Sequence, residues 1–239
     1  MKTDRVVTIH QPEFAPWLGF FNKVWQSDVF IIMDDVQFKK NHFENRNKIR
    51  ILDEQGWTWI KVPVLTKGRF GQKICQVEIN SDGEKRWKDV FLKTVKLSYQ
   101  RSKYFDEVYG IVERCIKQDT ARLVDINVCL IVSILGYLGI RKEILVQSEI
   151  VDTASTKSQL LAELIEASGC GIYLSGQSGK VYLDLDLMKK KDITIRYQNF
   201  KHPRYEQSHG SFLAGMSIVD LLFNYGKESV NFIEGFDYE

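Results

Sequence analysis

The sequence predicts an α/β protein, a mostly parallel sheet with flanking helices and a helical middle subdomain. Three observations carry that expectation. RVVTIH (5–10) and VFIIM (29–33) are short apolar runs of the kind found in strands covered on both faces. The stretch between them reads as helix, and strand, helix, strand is the unit of a parallel sheet. The composition, 44% hydrophobic and 27% charged over 239 residues with only four prolines, is that of a folded chain able to bury a sizeable core.

Each element follows from local pattern. Gln11-Pro12 breaks the first strand, and Pro16 suits the first turn of a helix over 16–26. WTWIKVPV (57–64) alternates like a strand with one covered face. Residues 82–97 read as an amphipathic helix, SYQRSKYF as a linker, 105–117 as a second helix, and 120–138 as a third, stopped by Gly139. A strand over 143–146, a helix over 158–168, strands over 172–174 and 193–197, and a short helix over 218–223 complete the chain. No repeat or Pro/Ser-rich linker divides it, so residues 1–239 are expected to form a single domain, with 82–139 as a helical subdomain inside it.

Charge and hydropathy exclude several classes. Lysine and arginine number 33 against 31 acids, net +2, which gives no overall field for DNA or a membrane surface. No apolar run approaches the roughly 20 residues of a membrane helix, and the first residues lack a signal-peptide core. The expected location is cytoplasmic, with neither membrane nor DNA as partner. Cys75, Cys115, Cys129 and Cys170 form no CxxC pair and are expected as buried free thiols, with Cys170 beside glycine as an alternative nucleophile.

Four segments can carry chemistry. His10 and Gln11 follow the first strand and Asp34 and Asp35 the second, at the carboxyl ends where a parallel sheet leaves its ligand crevice. An imidazole oriented by a carboxylate there is a general base. Residues 36–73 hold nine lysines and arginines against three acids, net +6. Within them, Gln37, Lys39, Asn45 and Arg46 are candidates to hold phosphate and sugar hydroxyls, the alternative being a solvated basic hairpin. SGQSGK (175–180) lacks the spacing of a Walker loop, but Ser175, Gly176 and Lys180 suit an anion nest, the alternative being a tight turn. In YQNFKHPRYEQSHG (197–210), His202 is a candidate acid or base and Tyr205 a ligand contact, with an ordered surface loop as the alternative. No metal-binding spacing is present, so no metal site is expected.

Several segments together resemble the WbqC-like family of bacteria: IHQPEFAPWLGFFNKV, DVFIIMDDVQFKKNHFENRNKI, WIKVPV, YLSGQSGKVYLD and HPRYEQSHGSFLAGMSIVDLLFNYG, in family order over nearly the whole chain. The SGQSGK loop departs in carrying Gln177 and Ser178 where small or apolar residues are common. Proteins of this family are encoded with surface-polysaccharide and O-antigen genes. The resemblance therefore implies a role in making or modifying an unusual sugar, glycyl or other acyl transfer to an amino sugar being one such step.

Combined with the residues above, this gives a transferase that forms an amide on a nucleotide-linked amino sugar. His10, oriented by Asp34 or Asp35, would take the amine proton, Arg46 with Lys39 or Lys180 would hold the diphosphate, and Trp17 would cover a base or sugar ring. No intrinsic cofactor is expected. The activated acyl or aminoacyl donor would be an acyl-CoA, a carrier protein or an aminoacyl-tRNA, the last reached through the basic segment and its aromatics. The alternative is a non-catalytic protein that binds the nucleotide sugar or a partner enzyme of the same pathway.

Overall fold

The computed structural model describes residues 3–81 and 86–234. Their centre is a five-stranded parallel sheet flanked by helices, as expected. Its strands are β1 (Thr3–His10), β2 (Val29–Ile32), β5 (Glu143–Val146), β6 (Cys170–Ser175) and β7 (Thr194–Tyr197), in the order β5-β2-β1-β6-β7. A separate antiparallel hairpin joins β3 (Arg46–Arg50) to β4 (Trp57–Lys61). The helices are α1 (Leu18–Trp25), α2 (Trp87–Tyr99), α3 (Phe105–Lys117), α4 (Leu123–Tyr137), α5 (Gln147–Ile150), α6 (Lys157–Ala167), α7 (Gly179–Tyr182), α8 (Leu185–Lys190), α9 (Ile218–Tyr225) and α10 (Val230–Ile233).

Side chains alternate along the strands and sort two cores. Phe30 and Ile32 of β2 face a cluster that contains Phe20 and Phe21 of α1 and runs on through α2, α3, α4 and α9. Val29 and Ile31, with Val7 and Ile9 of β1, face Leu160, Leu161 and Leu164 of α6 and Met188 of α8. His10, next along from Ile9, therefore turns to the α1 side, and its ring meets Phe20 edge-on at 4.9 Å.

Most predicted elements coincide with observed ones to within three residues. The omissions are β3 and the short helices α5, α7, α8 and α10, and of the helix expected over 82–97, residues 82–85 lie outside the described residues. The four-thiol expectation needs correction. Helices α3 and α4 pack together and bring Cys115 and Cys129 to a Cα separation of 5.6 Å, where they form a disulfide. Cys75 and Cys170 are free, and Cys170 is fully buried at the amino end of β6, away from the carboxyl ends of the strands.

A polar cluster fixes the long segment after β7. Tyr99 and Tyr205 donate to the two carboxylate oxygens of fully buried Asp220, at 2.8 and 2.9 Å, and Gln207 donates to it at 2.9 Å. Arg50 donates to the carbonyls of Gly56, His209 and Ser211, tying the hairpin to the same segment.

Candidate active site at the carboxyl end of β1

From the end of β1 the chain passes through α1 to β2 on one side, whereas the neighbour on the other side, β6, leads outward to β7. The strand order reverses between β1 and β6, and such a reversal opens a crevice outside the carboxyl ends of an open α/β sheet. A cavity of about 250 Å³ lies there, lined among others by His10, Trp17, Lys23, Gln177, Ser178 and Gln198.

Three titratable groups stand together here, His10 and Lys23 in the cavity lining and Glu13 next to His10. His10 Nδ1 lies 3.0 Å from the Gln11 carbonyl. A carbonyl only accepts, so Nδ1 carries the proton and Nε2 keeps its lone pair, 3.9 Å from Glu13 Oε1. Burial, assisted by the charge of Lys23, pushes the His10 pKa down to about 3, so the imidazole is neutral. Glu13 is buried, with one carboxylate oxygen lacking a hydrogen-bond partner, and burial raises its pKa to about 7 against the pull of Lys23. Lys23 is buried in α1 and burial lowers its pKa to about 8, opposed by Glu13.

The walls are built by close packing. A Cβ on Gly19 would lie 2.2 Å from the Trp17 ring, so only glycine lets the indole fold over the first turn of α1. Just before it, Ala15 takes a left-handed conformation, φ 43°, rare outside glycine. Asn47 holds that turn by donating to the carbonyls of Phe14 and Ala15, at 3.3 and 2.9 Å. On the far wall, Gln177 donates to the Gln198 carbonyl, while the Gln198 amide donates to Gly19 O at 2.8 Å and Asn22 Oδ1 at 2.7 Å. A Cβ on Gly179 would lie 2.0 Å from Ser175 Oγ, so this glycine allows the turn out of β6 to close.

Of the residues singled out in the sequence, His10, Trp17 and Gly176 line this cavity. Ser175 is buried beside it and donates to the Gly176 carbonyl at 3.1 Å. Lys180 lies 5.2 Å from the Tyr197 ring, two residues beyond Ser178. His202 stacks behind Trp17 at 6.3 Å, with Nδ1 on the Pro203 carbonyl, and burial lowers its pKa. Gln11 and Lys39 line a second cavity, about 620 Å³, on the α6 side of the sheet.

The expected carboxylate partners of His10 are engaged elsewhere. Asp34 accepts from the Ser148 amide at 3.0 Å and its hydroxyl at 2.7 Å, because β5 runs beside β2. Asp35 pairs with Lys73 at 2.6 Å. The carboxylate nearest His10 is that of Glu13. Gln37 forms a backbone bridge with Lys73, Asn45 donates to Val62 O at 3.1 Å, and Arg46 lies 4.2 Å over the Trp59 ring. None of these three lines the β1 cavity. Tyr205 is committed to Asp220.

Sequence reasoning passed over Glu13, Lys23 and Gln198. A signal for Lys23 existed: it is a cation inside LGFFNKVW, a helix buried from Leu18 to Val24. A buried lysine is costly unless something uses it.

A family model of WbqC-like proteins matches residues 11–232. The Mycobacterium tuberculosis protein Rv1507c, itself uncharacterized, is 33% identical over 229 residues, covering 95% of this chain and 96% of the relative. No solved structure matches the chain. The matched family segment contains Trp17, Lys23, the turn after β6 and Gln198, which line the β1 cavity, and Glu13 next to His10, and the chain belongs to the WbqC-like protein family.

Proposed function

We propose that the protein is an acyl or aminoacyl transferase that forms an amide on a nucleotide-linked amino sugar in surface-polysaccharide biosynthesis. The observation that carries this reading is the cluster at the β1 cavity, where a carboxyl with a pKa of about 7 and an amine with a pKa of about 8 flank a neutral imidazole. A sugar amine is mostly an ammonium at neutral pH, and its attack on a carbonyl needs a proton acceptor matched to that pH. Glu13 has that pKa. Neutral His10 accepts a hydrogen bond from the amine on its Nε2 lone pair and so aims the nucleophile, with Glu13 as the proton acceptor.

The step balances with these groups. The ammonium first releases one proton to water; the free amine nitrogen then bonds to the carbonyl carbon of a thioester or ester donor, and the second proton, shed as the amide forms, passes to the Glu13 carboxylate through a bridging water. The Lys23 ammonium stabilises the negative charge that develops on the carbonyl oxygen. When the carbon–sulfur or carbon–oxygen bond breaks, the leaving group takes the proton back. Acyl transfer from an activated donor needs no resident cofactor. A cavity of about 250 Å³ has room for a sugar ring rather than a whole nucleotide sugar, so the diphosphate would lie outside it, toward Lys180.

The test is incubation with nucleoside-diphosphate amino sugars and acyl-CoA or aminoacyl donors, read by mass spectrometry. The expected result is a sugar heavier by one acyl group. The rate should fall by about 100-fold or more in Glu13→Gln and His10→Ala. Stable binding with the sugar unaltered after long incubation would instead establish a carrier and overturn the transferase reading.

A further inference from the structure

We propose that the outer face of the β3–β4 hairpin, with the groove between it and α2, binds single-stranded nucleic acid. This site stands apart from the acyl-transfer reading and shares no lining residue with the β1 cavity. The strand register defines the face. Arg46 pairs with Lys61, Lys48 with Trp59 and Arg50 with Trp57, so these six alternate positions point one way. Asn47, Ile49 and Ile60 point the other way and are buried.

The outward set holds four cations, two tryptophans and no carboxylate. Arg50 is withdrawn, buried against the carbonyls of Gly56 and Ser211. Arg46 and Lys48 form a ladder with the tryptophans: Arg46 lies 4.2 Å over the Trp59 ring, and Lys48 lies 4.1 Å over Trp57 and 5.2 Å over Trp59. Both indoles remain partly exposed. Trp59 also forms one wall of a groove of about 450 Å³, which it shares with Arg86, Trp87 and Phe91.

An unstacked base lies flat on an indole whatever its identity, and the phosphates beside it are neutralised by Arg and Lys. Cations alternating with half-exposed tryptophans supply both contacts within one short hairpin when Arg46 and Lys48 swing from the ring faces they cover to the phosphates. A merely solubilising face mixes Lys with Glu and does not expose indoles. The groove of about 450 Å³ extends the face toward α2. A duplex keeps its bases stacked inside and offers nothing to lie on these rings, so the ligand is a single strand.

The experiment is a tryptophan-fluorescence titration of the full chain with a short oligo-adenylate RNA, with AMP, and with a duplex RNA of equal length. The strand is expected to bind saturably, with log affinity falling linearly against log salt by about 0.7 per phosphate contacted. Trp59→Ala should weaken it about tenfold. Arg46→Gln and Lys48→Gln, which remove the charge and keep part of each side-chain stem against the indoles, should weaken it and flatten the salt slope. These two charge variants carry the test if Trp59→Ala melts early. The proposal is overturned if the strand does not bind at low salt, if the duplex or AMP binds as tightly as the strand, or if the charge variants bind as the wild type does.

Discussion

Lys23 donates a hydrogen bond from Nζ to the main-chain oxygen of Ile9 across 3.2 Å, so helix α1 fixes a buried cation beneath the strand end that presents His10. The burial of this amine and of Glu13 beside it gives the β1 cavity its chemistry, and each group leaves a signature in the pH dependence of stability.

The Lys23 pKa falls on folding from 10.5 to about 8. Its contribution to stability is therefore present above pH 10.5 and is lost as pH falls through 8. Lys23→Met removes that loss. Urea denaturation between pH 10.5 and 7 should show the wild type losing about 3 kcal/mol relative to the variant. Parallel curves for the two proteins would place the amine in water.

Glu13 has the opposite sign. Its pKa rises on folding from 4.5 to about 7, so its contribution is present below 4.5 and is lost as pH rises through 7. Glu13→Gln should make the protein more stable than wild type at pH 8, by up to about 3 kcal/mol, while lowering the transfer rate by about 100-fold or more. A gain in stability with a loss of activity marks a group kept for function. Denaturation and turnover measured on the same preparation check both.

Gly19→Ala raises intrinsic helix propensity, yet the added Cβ would meet the Trp17 ring at 2.2 Å. The variant should be destabilised by about 1–3 kcal/mol, with a shifted tryptophan emission, and should lose any thermal stabilisation that the proposed nucleotide-linked amino sugar is found to give the wild type.

Asp220→Asn leaves Tyr99, Tyr205 and Gln207 facing an amide in place of a carboxylate that accepts from all three. Calorimetry should report a loss of about 2 kcal/mol. Amide exchange should quicken in the segment from Tyr205 to Leu213, because Gln207 also bonds both the amide and the carbonyl of Leu213.

The sheet was legible because its strands declare themselves: VFIIM is covered on both faces and reads as an unbroken apolar run. RNKIR hid the strand β3 because its buried positions are Asn47, Ile49 and Arg50, only one of them apolar. At the site, His10 was legible from its place after a strand. Glu13 and Lys23 were not, since an ordinary acid and an ordinary lysine become reactive only when tertiary packing removes water from both. Asp34 and Asp35 were visible as a pair, but their partners, Ser148 and Lys73, arrive from distant segments. The bridge between Cys115 and Cys129 likewise depends on how α3 packs against α4.

The most direct test is the titration of the Glu13 side chain, followed by the carbon NMR shift of its carboxyl in labelled protein. A midpoint of about 7 that climbs further in Lys23→Met is the predicted result, since burial raises this pKa and Lys23 restrains it. A midpoint near the ordinary 4.5, unmoved by Lys23→Met, would contradict a matched acid and amine beneath His10 and remove the basis for placing amide formation there.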